Sequence, residues 1–232
     1  METSFIQGTS CTISSHTCRC FEKLSKKEMD FIDANSVVID YKKNEIICKQ
    51  GSFVSHVMYM EKGLAKVYLD DGSKSLVLKI IPQGNLLGLT SLSEENNTFR
   101  YSAMTYVDSR VKLIDINAFR QMVKQNAEFA KEVIDILSAN SIQINGRFFC
   151  LTHKQAYGRL ADILLCLSRQ VFKKAEFDLP LSRKDLAELS GMSSETVIRM
   201  IKKFNEDGLI QMDGKKFKVI DYDRLISISE KG

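Results

Sequence analysis

Residues Ser182–Gly208, SRKDLAELSGMSSETVIRMIKKFNEDG, carry the spacing that lets two short helices cross at a tight turn. Ser182 and Asp185 stand at the N-cap and third positions of a first helix bearing Leu186, Ala187 and Leu189. A serine cap with an acid three residues on satisfies two of the free N–H groups at a helix start. Gly191 falls where the turn needs a positive φ, which glycine adopts without a Cβ clash. Ser193 caps a second helix whose apolar positions Val197, Met200, Ile201 and Phe204 recur at helical spacing. Ser194, Glu195, Ile198, Arg199, Lys202 and Lys203 lie elsewhere on its surface. Small Ala187 admits close approach of the two helices, so the segment predicts a helix-turn-helix with a polar, partly basic second helix. A purely structural helical hairpin is the alternative.

Working outward, LIQMDGKKFKVIDY after this segment reads as strand, Asp213-Gly214 turn and strand, the wing of a winged helix. Lys215, Lys216 and Lys218 crowd that turn and second strand, within reach of phosphates or simply solvated. Before it, FDLPLSRK supplies an entry, and Gln155 to Val171 forms an amphipathic helix on Leu160, Ile163, Leu164 and Leu167. Helical spacing also runs from Asn117 to about Phe149, where Ile134, Leu137, Ser141, Ile144, Phe148 and Leu151 recur in steps of three and four. That is a seam for another helix, and its length favours self-association over a cap on the preceding domain.

From Val37 to Ile116 the pattern is of short β-prone runs: VVIDY, EIICKQ, HVMYMEKG, LAKVYLD, SLVLKII, RYSAMTY and RVKLIDI. Turn signals separate them, with Asp71-Gly72 the sharpest hairpin. FEKLSKKEMDFIDANSV gives one short amphipathic helix with Leu24, Met29 and Ile32 inward. The expected fold is α+β. Residues 1–22 form a cysteine-containing tail, 23–116 a β-roll of the jelly-roll kind, 117–151 a linker with a long dimerisation helix, and 152–232 a winged helix-turn-helix.

At 232 residues and 44% hydrophobic content the chain can build one or two cores. No apolar run is long enough for a membrane span and METSFIQGTS has no signal-peptide core, which points to cytoplasmic residence. A net charge of +4 permits an anionic partner without requiring one. No nucleophile–base motif, phosphate-cradling Gly-rich loop or His-rich metal spacing is found and His16, His56 and His153 are scattered, so an enzyme is not expected. Of six cysteines, Cys48, Cys150 and Cys166 read as buried inert thiols, while Cys11, Cys18 and Cys20 cluster in a polar segment. Metal ligation, thiol redox sensing and plain tail cysteines all remain open for that trio.

The order of tail, β-roll, long helix and winged helix resembles the family of the cyclic-AMP receptor protein and the oxygen regulator FNR, over nearly the whole chain. KKNEIICKQG and MYMEKGLAKVY are similar to that family's paired roll strands, PQGNLLGL to its sugar-phosphate cradle, and GMSSETVIRMIKKFNEDGLI to its recognition helix. The resemblance implies a homodimeric, sequence-specific regulator acting on an inverted repeat in double-stranded DNA, with RNA polymerase as a further partner and a small-molecule or redox signal. It places Glu195 and Arg199 at base-reading positions, with Ser194 beside them; Lys202 and Lys216 are the further DNA contacts expected, and Ile134, Leu137, Ile144 and Phe148 the dimer seam. Chemically, an arginine suits guanine O6 and N7 and a glutamate a cytosine amine, while the same pair four apart can also form an intrahelical bridge.

The chain departs from the family at Leu89, where cyclic-AMP binders carry a ribose-binding glutamate, and near Asn97, where their phosphate-binding arginine falls; Arg100 is out of register. Cyclic AMP is therefore not the expected ligand. For an iron-sulfur cluster, Cys11, Cys18 and Cys20 have the spacing C-x6-C-x-C, and Lys112 occupies the fourth-ligand position. A β-roll regulatory subunit acting on a protein partner is the alternative function.

Overall fold

The computed structural model describes residues 17–72 and 75–232, which form two compact units. One comprises 17–72 and 80–141, the other 142–232 with 75–79. Cys11, His16 and residues 73–74 of the Asp71-Gly72 hairpin lie outside the described residues.

The first unit is built from short antiparallel strands. Strands β1 (Ser36–Tyr41), β8 (Ser109–Asp115), β3 (His56–Lys62) and β6 (Leu86–Leu87) form one sheet in that order. Strands β2 (Ile46–Cys48), β7 (Ser102–Thr105), β4 (Leu64–Asp70) and β5 (Ser75–Pro82, of which 75–79 count with the second unit) form the other. The two-residue β6 had no strand pattern of its own and exists because Leu86 and Leu87 pair with Tyr59 and Met58. Gly63 joins β3 to β4 at φ 109°, where any Cβ would collide with the Ser109 side chain.

Helix α1 (Lys26–Ala34) starts later than expected, because Ser25 and Glu28 close a capping box around its first turn. Before it, residues 17–22 are not a loose tail. Cys18 and Cys20 are buried, Cys20–Lys23 winds into a 3₁₀ turn, and Cys18 N–H donates to Gly84 O at 2.8 Å. The helical stretch expected from Asn117 to about Phe149 is two helices, α2 (Ile116–Gln125) and α3 (Ala127–His153), interrupted at Asn126 in extended conformation. Asn126 Oδ1 accepts the Phe129 N–H at 2.9 Å as a cap for α3, while its Nδ2 donates to Lys23 O and Glu28 Oε1, each at 3.1 Å. Phe129, Val133 and Ile136 of α3 are buried. No helix among the described residues is long and apolar enough to cross a membrane.

In the second unit α4 (Ala156–Cys166) is almost wholly buried and continues as a wider π turn to Val171. Helices α5 (Arg183–Ser190) and α6 (Ser194–Glu206) are followed by β10 (Ile210–Asp213) and β11 (Lys216–Val219). Two elements escaped the sequence reading: a third wing strand β9 (Glu176–Asp178) beside β11, and a terminal helix α7 (Tyr222–Lys231). Helix α7 seats Gly232 against Gly158 of α4, too close for any side chain at position 158.

A buried polar knot ties α3, α4 and α7 together. Lys154 Nζ lies 2.6 Å from Asp162 Oδ2, Ser229 Oγ donates to Asp162 Oδ1, and the Cys150 thiol donates to Oδ2 at 3.5 Å. Removing one member of a buried ion pair strands the other charge. Asp162→Ala is expected to destabilise this unit by about 3–5 kcal/mol, measured by urea unfolding. A change below about 1 kcal/mol would show that Lys154 escapes to solvent at little cost.

Candidate nucleic-acid interface and sensor site

The helix-turn-helix forms by the chemistry read from its sequence. Ser182 and Asp185 exchange both capping-box bonds, at 2.8 and 3.1 Å. Gly191 ends α5 at φ 62°, and Ser193 caps α6 by accepting the Thr196 N–H at 3.2 Å. Leu186, Ala187, Leu189, Val197, Met200, Ile201 and Phe204 are buried between the helices and the rest of the unit. This leaves Glu195, Ile198, Arg199, Lys202 and Lys203 exposed on α6, with Ser194 half-buried at its start.

The Ser193 hydroxyl, Glu195's own backbone N–H and the charge of Arg199 hold the Glu195 carboxyl below its usual range. Glu195 and Arg199 do not close into an ion pair among the described residues, so the Arg199 guanidinium keeps its donors toward solvent. Lys202 lies 3.8 Å from Glu206 and Lys203 3.0 Å from Asp207. On the wing, Lys215 and Lys216 are exposed beside Gly214, whereas Lys218 pairs with Glu176 of β9 at 3.2 Å. Strand β9 thus withdraws one of the three wing lysines.

Two arginines that the sequence reading missed hold this motif in place. Arg147 Nη2 donates to Leu189 O, and Arg159 Nε donates to Ser190 O at 2.9 Å, so the last carbonyls of α5 are capped by guanidinium groups. Arg159 also donates to Lys154 O at 2.7 Å. Burial brings the Arg147 guanidinium down to about 10, still cationic at neutral pH.

The predicted seam residues of α3 are bare: Ile134 is 61% exposed, Leu137 37%, Ile144 59% and Phe148 68%. Ile142 and Phe149 are exposed alongside them, and Ser141 interrupts the stripe midway.

In the β-roll, Gly88 opens at φ 88° and its N–H donates to the Tyr101 hydroxyl at 2.8 Å. Burial pushes the Tyr101 phenol above its ordinary range. Leu89 is buried, Arg100 stands on the surface 3.3 Å from Asn96 Oδ1, and Asn97 contributes only its carbonyl, to the Val54 N–H. Near the N-terminus the Cys18 and Cys20 sulfurs are 2.7 Å apart. The Cys20 thiol hydrogen-bonds Cys18 and favours the first negative charge there, which with burial drives the Cys20 thiol far upward. Lys112 is paired with Asp33.

Residues 38–126 match the cyclic nucleotide-binding domain family and residues 158–228 the Crp-like helix-turn-helix domain family. The transcriptional activator protein Anr of Pseudomonas aeruginosa is 24% identical over 81% of this chain and 78% of its own. The cAMP-activated global transcriptional regulator CRP of Escherichia coli is 26% identical over 77% and 87%. The chain belongs to the CRP/FNR family. Among solved structures, FixK2 from Bradyrhizobium japonicum shares the fold at TM-score 0.77 and 20% identity, over 83% of this chain and 96% of that one. A CooA mutant from Carboxydothermus hydrogenoformans does so at 0.75 and 18%, over 94% and 99%.

As a CRP/FNR protein it is a DNA-binding transcription regulator and not an enzyme. Its roll does not fit the family's nucleotide ligand in the usual way. An apolar Leu89 cannot hydrogen-bond a ribose, and Tyr101 already occupies the Gly88 N–H. Neither do the described residues fit a four-thiolate cluster, since they bring together two thiols, with an ion-paired ammonium at the fourth position.

Cys48 and Cys150 are buried free thiols as expected, burial pushing them up to about 12 and about 11, whereas Cys166, expected as a third such thiol, is disulfide-bonded. A raised thiol stays protonated and weakly nucleophilic below its pKa. In the native protein at about pH 8, iodoacetamide is expected to leave both unlabelled over a period that labels them fully in urea, read by peptide mass spectrometry. Fast native labelling of either would place it in an open, ionised environment.

Proposed function

We propose that this regulator acts as a homodimer on an inverted-repeat DNA site, under control of a small-molecule or redox signal received by its N-terminal half. The observation that carries the reading is the bare apolar stripe on α3, repeating at three and four residues, whose exposure in a single chain is relieved when two copies pair along it. Pairing about a two-fold axis presents two α6 helices to half-sites about 34 to 36 Å apart. In this reading residues 23–116 sense, 117–151 couple and dimerise, and 152–232 bind DNA, with RNA polymerase the partner recruited or blocked.

On each half-site Arg199 donates a bidentate pair to guanine and Glu195 accepts from cytosine, with Ser194 beside them at the helix start. Lys202 and Lys216 contact phosphates, which fixes position without reading sequence. The signal is a ligand other than cyclic AMP, or a redox change at the N-terminal cysteines, and it works by favouring one arrangement of the paired α3 helices over another.

Arg199→Ala is expected to weaken binding to the cognate duplex, selected from a random-sequence pool, by about 1–3 kcal/mol, with a much smaller loss on random DNA. Lys216→Ala should weaken all duplexes alike and lower the salt slope by about 1. Equal losses on both DNAs for Arg199→Ala would remove it from base reading.

Ile144→Glu is expected to give monomers in analytical ultracentrifugation and to abolish specific DNA binding. A dimer that survives this change would refute the α3 seam.

A further inference from the structure

We propose that Cys18 and Cys20 form a redox site that a hydroperoxide converts to an intramolecular disulfide, and that this conversion is the signal input of the regulator. The proposal rests on the reading of the chain as a signal-controlled DNA-binding dimer and names the signal's chemistry.

Three observations carry it. The two sulfurs lie 2.7 Å apart across a single residue, Arg19, closer than separate thiols pack and within easy reach of a covalent bond. The site is built: Cys20 is fully buried and Cys18 retains 7% exposure, enough for a small oxidant. Finally, the pair is wired into the unit on both sides. Cys18 N–H holds Gly84 O at 2.8 Å, and Gly84 N–H in turn holds Met60 O at 2.8 Å. The turn at Gly84 leads directly into Leu86, Leu87 and the Gly88 amide that binds Tyr101. On the other side Phe21, next to Cys20, packs edge-on against Tyr59 at 5.0 Å and against Phe129 of the first turn of α3 at 6.2 Å.

The chemistry balances with the hydroperoxide as oxidant. The more accessible sulfur, Cys18, attacks the peroxide oxygen as thiolate; the O–O bond breaks, hydroxide leaves and takes up the thiol proton as water, and Cys18 becomes a sulfenic acid. Cys20 sulfur then attacks Cys18 sulfur, and the sulfenic oxygen leaves as a second water with the remaining proton. Two thiols lose two electrons and two protons, the peroxide gains them, and a dithiol reductant reverses the change. Closing the bond alters the torsions on both sides of Arg19, which shifts the Gly84 turn and the Phe21 ring together. This gives α3 two states to choose between.

The test uses the full-length protein, reduced and desalted without oxygen, treated with one equivalent of hydrogen peroxide, alkylated, and cut with trypsin. Trypsin cleaves after Arg19, between the two cysteines. In the reduced protein the peptides ending at Arg19 and beginning at Cys20 separate, each alkylated. In the oxidised protein they are expected to stay joined, two hydrogens lighter than the sum of the two peptides alkylated at Cys11 alone, with fragmentation placing the alkyl group on Cys11 and the bond on Cys18, and to part on adding dithiothreitol. Binding to the duplex selected by the reduced protein should shift with oxidation by roughly 5- to 150-fold, and return on reduction. Cys20→Ser should abolish the shift and leave a sulfenic acid on Cys18 that dimedone traps; the wild-type peptide map judges the site even if that variant fails to fold.

Separate alkylated peptides after peroxide, linkage of either cysteine to Cys11 instead, or a protein purified without oxygen with an iron-sulfur absorption occupying these thiols would overturn the site. A disulfide that forms without any change in DNA affinity would overturn its role as signal. If the reduced protein selects no duplex at all, the DNA-binding reading fails, while the peptide map still decides the redox site.

Discussion

The end of α5 is the point on which the DNA-binding unit depends. A helix that stops at a left-handed glycine leaves its last carbonyls without intrahelical partners, and such groups cannot be buried unsatisfied without cost. Here two guanidinium groups from preceding helices supply the donors: Arg147 reaches Leu189 O and Arg159 reaches Ser190 O. Because both arginines sit on rigid helices, they fix the direction in which α5 ends. The geometry of Gly191 and the Ser193 cap then fixes where α6 begins. The polar face of α6 is therefore aimed by hydrogen bonds made one helix away from it, and the Asp162 knot locks the helices that carry those arginines.

Helix α3 answers to two demands along its length. Its Phe129, Val133 and Ile136 are buried, while Ile134, Leu137, Ile144 and Phe148 stay bare. In the proposed dimer the bare stripe meets the second copy while the buried one stays in its own unit, so one continuous helix backbone would link the two. Asn126 marks the start of the helix, and its side chain joins that start to Lys23 of the 3₁₀ turn and Glu28 of α1 by hydrogen bonds.

The β-roll keeps the outline of a nucleotide-binding domain but not its polar contacts. Tyr101 satisfies the Gly88 amide from within, and Leu89 makes that wall apolar. The polar chemistry lies instead at the N-terminal edge, where two thiols are held together against the Gly84 turn. That separation of an intact scaffold from altered contacts is how one fold comes to serve different signals.

By itself the sequence determined the helix-turn-helix, the wing hairpin, the run of short strands and the apolar seam. All of these follow from interactions within a few residues: the Ser182–Asp185 capping box, the positive φ at Gly191 and Gly214, and side chains repeating at the helical or strand period. What only the tertiary structure decided depends on partners distant in the chain. Asn126 breaks a helical pattern because Lys23 and Glu28 hold its side chain; β6 and β9 are strands because Tyr59 and Phe217 lie opposite them. Helix α7 carried a readable signal in its Asp221 cap and in Leu225 and Ser229, yet its place against Gly158 did not. The Cys18–Cys20 pair looked like part of a polar tail, since burial of a short segment against Gly84 leaves no periodic trace in sequence. Arg147 and Arg159 were unreadable for the same physical reason, because a backbone carbonyl as partner imprints nothing on the residue that owns it.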